Sequence, residues 1–191
     1  LPELPVGWCW ASLDELLLDI IGGKSPKTHG RPAEVGEYGV LKVSAVTWGA
    51  FDAAENKALG EPPAPGSPMV SKGDLLITRA NTVELVGAVV LVAEDHQHLM
   101  LSDKTLRLDT CEQLPKEYLV WALRTRQVRQ VFEDQATGTS DSMRNISHAK
   151  IRAAPIALCP VAEMHEVMCG FQDMLSPMLE RYELQSTTRG A

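Results

Sequence analysis

Lys72-Gly73-Asp74-Leu75-Leu76-Ile77-Thr78-Arg79 decides how the rest of the chain is read, because a tight turn at Lys72-Gly73-Asp74 delivers a short apolar strand. Gly87 to Val92 (GAVVLV) is a second strand of the same kind, with Asn81 to Glu84 as the connection. Leu101 to Leu108 supplies a third, in which Leu106 and Leu108 alternate with Arg107. Upstream, Tyr38 to Trp48 reads as a buried strand in which Val40, Leu41, Val43 and Val46 flank a single Lys42. Gly60 to Pro68 (GEPPAPGSP) is too rich in Pro and Gly for regular structure and is a loop.

Helices are expected around these strands. Ser12-Leu13-Asp14-Glu15 has the S-x-x-E form of a capping box, which predicts a short helix through Leu16, Leu17 and Ile20 that stops at Gly22-Gly23. Pro115 suits the first turn of a helix from about Lys116 to Phe132, with Leu119, Leu123, Val128, Val131 and Phe132 on its apolar side. Gln135 to Asn145 (QATGTSDSMRN) reads as a polar loop, and Ile151 to Leu158 as a last short strand. Beyond Pro160, Met164, Met168, Phe171, Leu175, Met178 and Tyr182 are spaced 4, 3, 4, 3 and 4, a heptad seam that Pro177 interrupts. The expectation is an α+β fold: a globular domain over 1–159 with a twisted β-sheet and flanking helices, a long C-terminal helix over 160–185, and a frayed tail over 186–191. The helix either meets a partner helix or packs on its own domain.

The chain has 191 residues, 45% of them apolar and 23% charged, which are ordinary values for a folded domain. No apolar run is long enough to span a membrane, and Leu1-Pro2-Glu3-Leu4-Pro5 has no signal-peptide character. The missing initiator Met suggests an excised fragment or a processed start. Cys9, Cys111, Cys159 and Cys169 form no C-x-x-C pair and no zinc spacing, so four reduced, mostly buried thiols in a cytoplasmic protein are expected. Net charge is −7, yet Lys104 to Arg152 holds nine basic against six acidic residues, a local +3.

Several segments, in order, carry a resemblance. They are Leu4-Pro5-Val6-Gly7-Trp8-Cys9-Trp10 with Leu13-Asp14-Glu15-Leu16; Gly23-Lys24-Ser25-Pro26; Lys72 to Arg79 followed by Gly87; Leu114-Pro115 with Tyr118-Leu119; Gly138-Thr139 with Asn145-Ile146-Ser147 and Ile151; and Pro160-Val161-Ala162-Glu163. This series, covering about residues 4 to 170, resembles the specificity subunits of type I restriction-modification systems, although Met164 stands where the family usually has Gln. The resemblance implies a target recognition domain and one conserved spacer helix, half of a pattern in which two domains joined by antiparallel helices read a bipartite DNA site. It implies double-stranded DNA, methyltransferase (modification) subunits and a restriction/translocase subunit as partners. The helix would pair with a second half or with a copy of the chain itself, as a coiled coil or a dimer. No catalytic role and no cofactor are implied.

The residues themselves agree with that expectation. There is no Gly-rich methyl-donor loop, no Asn/Asp-Pro-Pro-aromatic motif and no phosphate loop. Asp95-His96-Gln97-His98 reads as a solvated turn rather than a metal site, and Gly138-Thr139-Ser140 has only His148 nearby as a base. DNA reading needs donors and acceptors that enter a groove, with Lys and Arg on phosphates. Three segments qualify: Lys24, Lys27 and Arg31; Arg79, Asn81 and Thr82; and Thr139, Ser140, Ser142, Arg144 and Asn145. Arg79 stays open between a strand-end salt bridge and a DNA contact. The rival reading is a protein-interaction or ligand-binding α+β module that never touches DNA.

Overall fold

The computed structural model describes residues 1–140 and 143–170. They form two compact units, one over Trp10–Ile156 and one of Pro2–Cys9 with residues from Ala157 onward. In chain order the strands and helices are β1 (Cys9–Ser12), β2 (Leu17–Gly22), β3 (Gly39–Leu41), β4 (Asn56–Ala58), β5 (Met69–Val70), β6 (Leu75–Thr78), β7 (Ala80–Asn81), β8 (Val89–Leu91), β9 (His96–Met100) and β10 (Thr105–Thr110). They continue with α1 (Lys116–Arg124), α2 (Arg126–Gln135), β11 (Thr137–Ser140), β12 (Met143–Asn145), α3 (His148–Arg152) and β13 (Pro155–Leu158). This is the expected α+β class.

The larger unit is built on an antiparallel sheet ordered β2-β10-β6-β8. β6 is buried at all four positions because both of its faces are covered. One face contributes Leu76 and, from β8, Val90 to a core shared with Leu41, Val70 and Leu99 of a second sheet, β4-β3-β9-β5. α1 packs along β8. Phe132 of α2 is fully buried against Gly87, whose φ of +81° admits no side chain cheaply. A third, three-stranded sheet, β11-β12-β7, completes the unit.

Several expected elements differ. The capping box is present, with Glu15 Oε2 accepting from Ser12 N at 2.7 Å and from Ser12 Oγ at 2.8 Å, but it closes only a 3-10 turn, Leu13–Leu16. The predicted helix beyond it is β2, because Leu17-Leu18-Asp19-Ile20-Ile21 finds a ladder partner in β10, with Ile20 opposite Leu108. The predicted strand from Tyr38 to Trp48 ends at Leu41 and turns through Val43–Ala45. That turn buries the consecutive residues Ala45 and Val46, which a strand would send to opposite faces.

The single helix expected after Pro115 is two, broken at Thr125 (ψ 147°), whose hydroxyl donates to Ala122 O at 2.7 Å. Within residues 135–145, read as loop, Thr137–Ser140 and Met143–Asn145 pair as β11 and β12, and the expected connection after Arg79 contains β7, which pairs with β12. The predicted turn at Asp95–His98 is largely β9, a strand whose outer positions are polar. The third core strand starts at Thr105, not Leu101, and the strand predicted from Ile151 is α3 followed by β13. None of the four cysteines is in a disulfide, but only Cys159 is buried, so the expectation of mostly buried thiols fails.

In the smaller unit, Gly7 (φ +88°) turns the chain so that Trp8 N donates to Pro5 O at 3.1 Å. Residues 161–170 are helical, and Trp8 Nε1 donates to Glu163 Oε2 on that helix at 3.3 Å. Two of the motif segments, 4–10 and 160–163, therefore meet through an indole–carboxylate bond. No helix among the described residues is long and apolar enough to cross a membrane.

Candidate nucleic-acid interface

Antiparallel pairing gathers distant parts of the sequence at one end of the main sheet. Leu106 lies opposite Gly22, Thr105 opposite Thr78, and Ile77 opposite Val89. The segments that follow β2, precede β10 and join β6 to β8 therefore all emerge at that end. All three candidate segments belong to this region, the third through β12 pairing with β7.

The first segment is tied down on both sides. Gly23 N donates to Ser102 O at 3.0 Å, and a Cβ on Gly23 would lie 1.7 Å from Leu101 O, so only glycine fits. Ser25 Oγ donates to the Asp103 carboxylate. Further on, Thr28 bridges to Leu59 and His29 N donates to Ala58 O at 2.9 Å. Lys24 and Lys27 stand exposed between these ties, and no carboxylate of the described residues pairs with either.

Arg31 is engaged. Its NH1 and NH2 donate to the two Glu37 oxygens at 2.6 and 2.7 Å. That pair, with the Glu34 N–H donating to the same carboxylate, holds the Glu37 carboxyl down at about 2, and the Arg31 guanidinium is pushed up in return. Arg31 thus shapes the turn over 31–37.

In the second segment, Arg79 N donates to Lys104 O at 2.9 Å and Arg79 O accepts from Ile146 N at 2.8 Å. The backbone of Arg79 thereby joins β10's leading loop to the end of β12. No carboxylate among the described residues forms a salt bridge with its guanidinium. Asn81 is only 7% exposed, and its Oδ1 accepts from Thr82 N at 2.9 Å. Glu84 sits below the usual carboxylate range, held first by its own N–H and then by the Thr82 hydroxyl, so Thr82 is also engaged.

Asn81 pairs directly with Arg144 across the β7–β12 ladder. Arg144 NH1 donates to Gly138 O at 3.0 Å and Thr137 Oγ1 to Asn145 O at 3.3 Å, which brace the hairpin. Gly138 (φ +155°) is required there, since a Cβ would lie 2.4 Å from Met143 O. Arg144 and Asn145 are half-buried, and Ser140 is exposed at the hairpin tip. Ser142 and the side chain of Thr139 lie outside the described residues, as do Phe171, Leu175, Met178 and Tyr182 of the seam. Of the seam residues within them, Met164 is buried and Met168 half-buried.

Three side-chain donors on this small sheet and its approach, Arg79 Nε, Asn81 Nδ2 and Arg144 Nε, are buried without a hydrogen-bond partner. Buried donors left unmade are uncommon and cost about 1–3 kcal/mol each. Beside them, burial pushes the His148 imidazole down, with Arg79 and Arg152 adding to the effect and Asp19 opposing it. These three donors are therefore short of acceptors. Among the described residues, no group of three His, Cys, Asp or Glu side chains is placed to hold a metal ion.

No family model matches the sequence. Over 174 residues the chain is 33% identical to the type I restriction enzyme EcoEI specificity subunit of Escherichia coli, an alignment covering 90% of this chain and 29% of that protein. It is a domain of the type I specificity-subunit family. The fold agrees: the HsdS subunit from Thermoanaerobacter tengcongensis superposes with a TM-score of 0.65 at 17% identity, over 96% of this chain and 41% of that one. The S subunit of a type I restriction-modification system from M. genitalium gives 0.61 at 16% identity, over 97% and 43%. A structure concerned with complex assembly and conformational transition of the type I system gives 0.63 at 17%, over 98% and 43%. The specificity-subunit domain thus spans less than half the length of the relatives it matches.

Two things at this sheet end escaped the sequence. Lys57 and Lys104 stand there with Lys42, which drew notice only as a break in an apolar run. The engagement of Arg31 by Glu37, six residues away in a Pro/Gly-containing loop, has no periodic signature at all.

Proposed function

We propose that this domain reads part of a double-stranded DNA sequence and thereby directs methyltransferase (modification) and restriction/translocase subunits to it. It contributes no catalytic group and works in the cytoplasm. The observation that carries this reading is the convergence of three separated segments at one sheet end. Exposed, unpaired Lys24 and Lys27 emerge at that end, as do the half-buried Arg79, Arg144 and Asn145. DNA offers phosphate oxygens to the lysines and base-edge acceptors and donors to the partly exposed Arg79, Arg144 and Asn145. In this reading 1–159 is the recognition domain, and the helix over 160–185 pairs with a second half or a second copy, so that two domains address a bipartite site.

The test is selection from a randomised duplex pool, followed by band shifts at several salt concentrations. An enriched motif whose affinity falls steeply with salt supports the reading. A chain that enriches no motif and holds duplex no better than an inert acidic protein of equal size instead favours a protein-interaction or ligand-binding module.

A further inference from the structure

We propose that a cleft beside the reading hairpin, lined by Lys57 and Lys104, binds the phosphate backbone of the duplex; this rests on the DNA-reading function above. The cleft, about 370 Å³, lies between Ser25–Thr28 of the first segment, Val40–Ser44 after β3, Lys57 of β4 and residues 102–104 before β10. Three ammonium groups from three different elements border it: Lys42, Lys57 and Lys104.

Their states differ. Lys42 Nζ is 2.6 Å from Glu55 Oε2 and is neutralised within the protein. Lys57 is exposed on β4 between the buried Asn56 and Ala58, so its side chain points away from the core and into the cleft rim. Lys104 is half-buried, and neither it nor Lys57 pairs with a carboxylate among the described residues. The one carboxylate in the lining, Asp103, accepts from Ser25 Oγ. Pro26 is common to this cleft and to the neighbouring groove that Lys24 and Lys27 line, where Glu61 is the opposing charge. Two neighbouring grooves that share Pro26 thus carry four ammonium groups without a carboxylate partner among the described residues, in a chain whose net charge is −7.

Position fixes the occupant. Lys104 O accepts from Arg79 N, so the cleft adjoins the cluster that carries Arg79, Asn81 and Arg144. A duplex whose bases meet β12 would bring its backbone to this adjoining cleft, where Lys57 and Lys104 from two different elements offer ammonium groups to its phosphates. Lysine acts here as a point charge and carries no sequence preference. The cleft therefore contributes affinity and register, while discrimination stays with the hairpin.

Lys57→Ala/Lys104→Ala is compared with the parent chain on a random duplex and on a selected site. Each lost phosphate contact lowers the slope of log K against log salt by about 0.9. The double variant is expected to lose about two units of slope, so that raising salt from 50 to 200 mM weakens the parent roughly tenfold more than the variant. Preference for the selected site stays unchanged. Lys57→Gln, at an exposed position that leaves the fold intact, is expected to lose about one unit. An unchanged slope in both variants, with the parent still binding duplex, overturns the cleft and leaves the reading function standing. A parent that binds no duplex overturns both. Displacement of the duplex by a few millimolar inorganic phosphate at constant ionic strength would make the cleft a small-anion site and also overturns the proposal.

Discussion

Gly73 and Gly87 offer a controlled comparison, because both sit at φ +81° while their surroundings differ. An alanine pays about 1–2 kcal/mol for the left-handed backbone at either position. Narrowing of the unfolded ensemble returns about 0.4–1 kcal/mol and does so equally at both. A Cβ on Gly73 meets nothing within 4 Å. On Gly87 it would lie 2.3, 2.8 and 3.0 Å from Cδ2, Cγ and Cβ of Phe132, whose ring is fully buried and has no solvent to swing into. Overpacking of that kind costs about 1–3 kcal/mol. Gly73→Ala is therefore expected to be nearly neutral to mildly destabilising, and Gly87→Ala to cost about 1–3 kcal/mol more. Urea unfolding at fixed m-value measures the difference, and in a Phe132→Ala background, which removes Cγ and Cδ2, the extra cost should shrink by at least half. Equal losses for the two alanines, or no relief from Phe132→Ala, would refute the contact between Gly87 and α2 as the reason for this glycine.

Arg144→Ala should weaken binding to a selected site by about 1–3 kcal/mol while hardly altering random duplex, whereas Lys27→Ala should weaken both alike and flatten the salt slope by about one unit; equilibrium band shifts on the two DNAs separate these outcomes. Glu37→Gln releases Arg31 for phosphate and should steepen the slope by about one unit. The Glu37 carboxyl is depressed from 4.5 to about 2, so its contribution to the 31–37 turn is complete above pH 4.5 and lost as pH falls towards 2. A carboxyl-detected NMR titration should show that midpoint, and a value near 4.5 would dissolve the ion pair. The proposed pairing of the helix over 160–185 with a second copy predicts a dimer that Leu175→Asp shifts to monomer without altering the unfolding transition of the globular part; light scattering and far-UV circular dichroism report both, and a monomeric parent refutes the pairing.

The strands that build the core were legible because they are apolar on both faces: β6 and β8 need no periodicity to be recognised, and Gly73 marks the turn into β6. Where the decisive partner was remote, the sequence was ambiguous. Leu17-Leu18-Asp19-Ile20-Ile21 satisfies a short amphipathic helix as well as a strand, and only β10, some ninety residues later, settles it. β9 and the β11–β12 hairpin were hidden because their outward positions are His, Gln, Ser and Arg, residues that read as solvated loop. At the break, the Thr125 hydroxyl and its N–H both turn back to Ala122 O, a local closure that the apolar periodicity does not signal. For the interface, the residue types were readable in Lys24, Lys27, Arg79, Asn81 and Arg144. Their gathering at one sheet end follows from strand pairing, which no local pattern encodes.

The two ties that bracket Lys24 to Lys27 have an entropic consequence. A surface loop that orders only when it meets a ligand forfeits about 1–2 kcal/mol of backbone freedom per residue at that moment. Here the Gly23–Ser102 bond on one side and the Thr28–Leu59 and His29–Ala58 contacts on the other leave only Lys24, Ser25, Pro26 and Lys27 between fixed points. Pro26 has its φ locked, and Ser25 is held through Asp103. Most of that freedom is surrendered during folding, where the main sheet's burial offsets it. In the proposed DNA complex, what remains for the moment of association is the motion of two lysine side chains, so encounter with a polyanion need not wait for the loop to assemble.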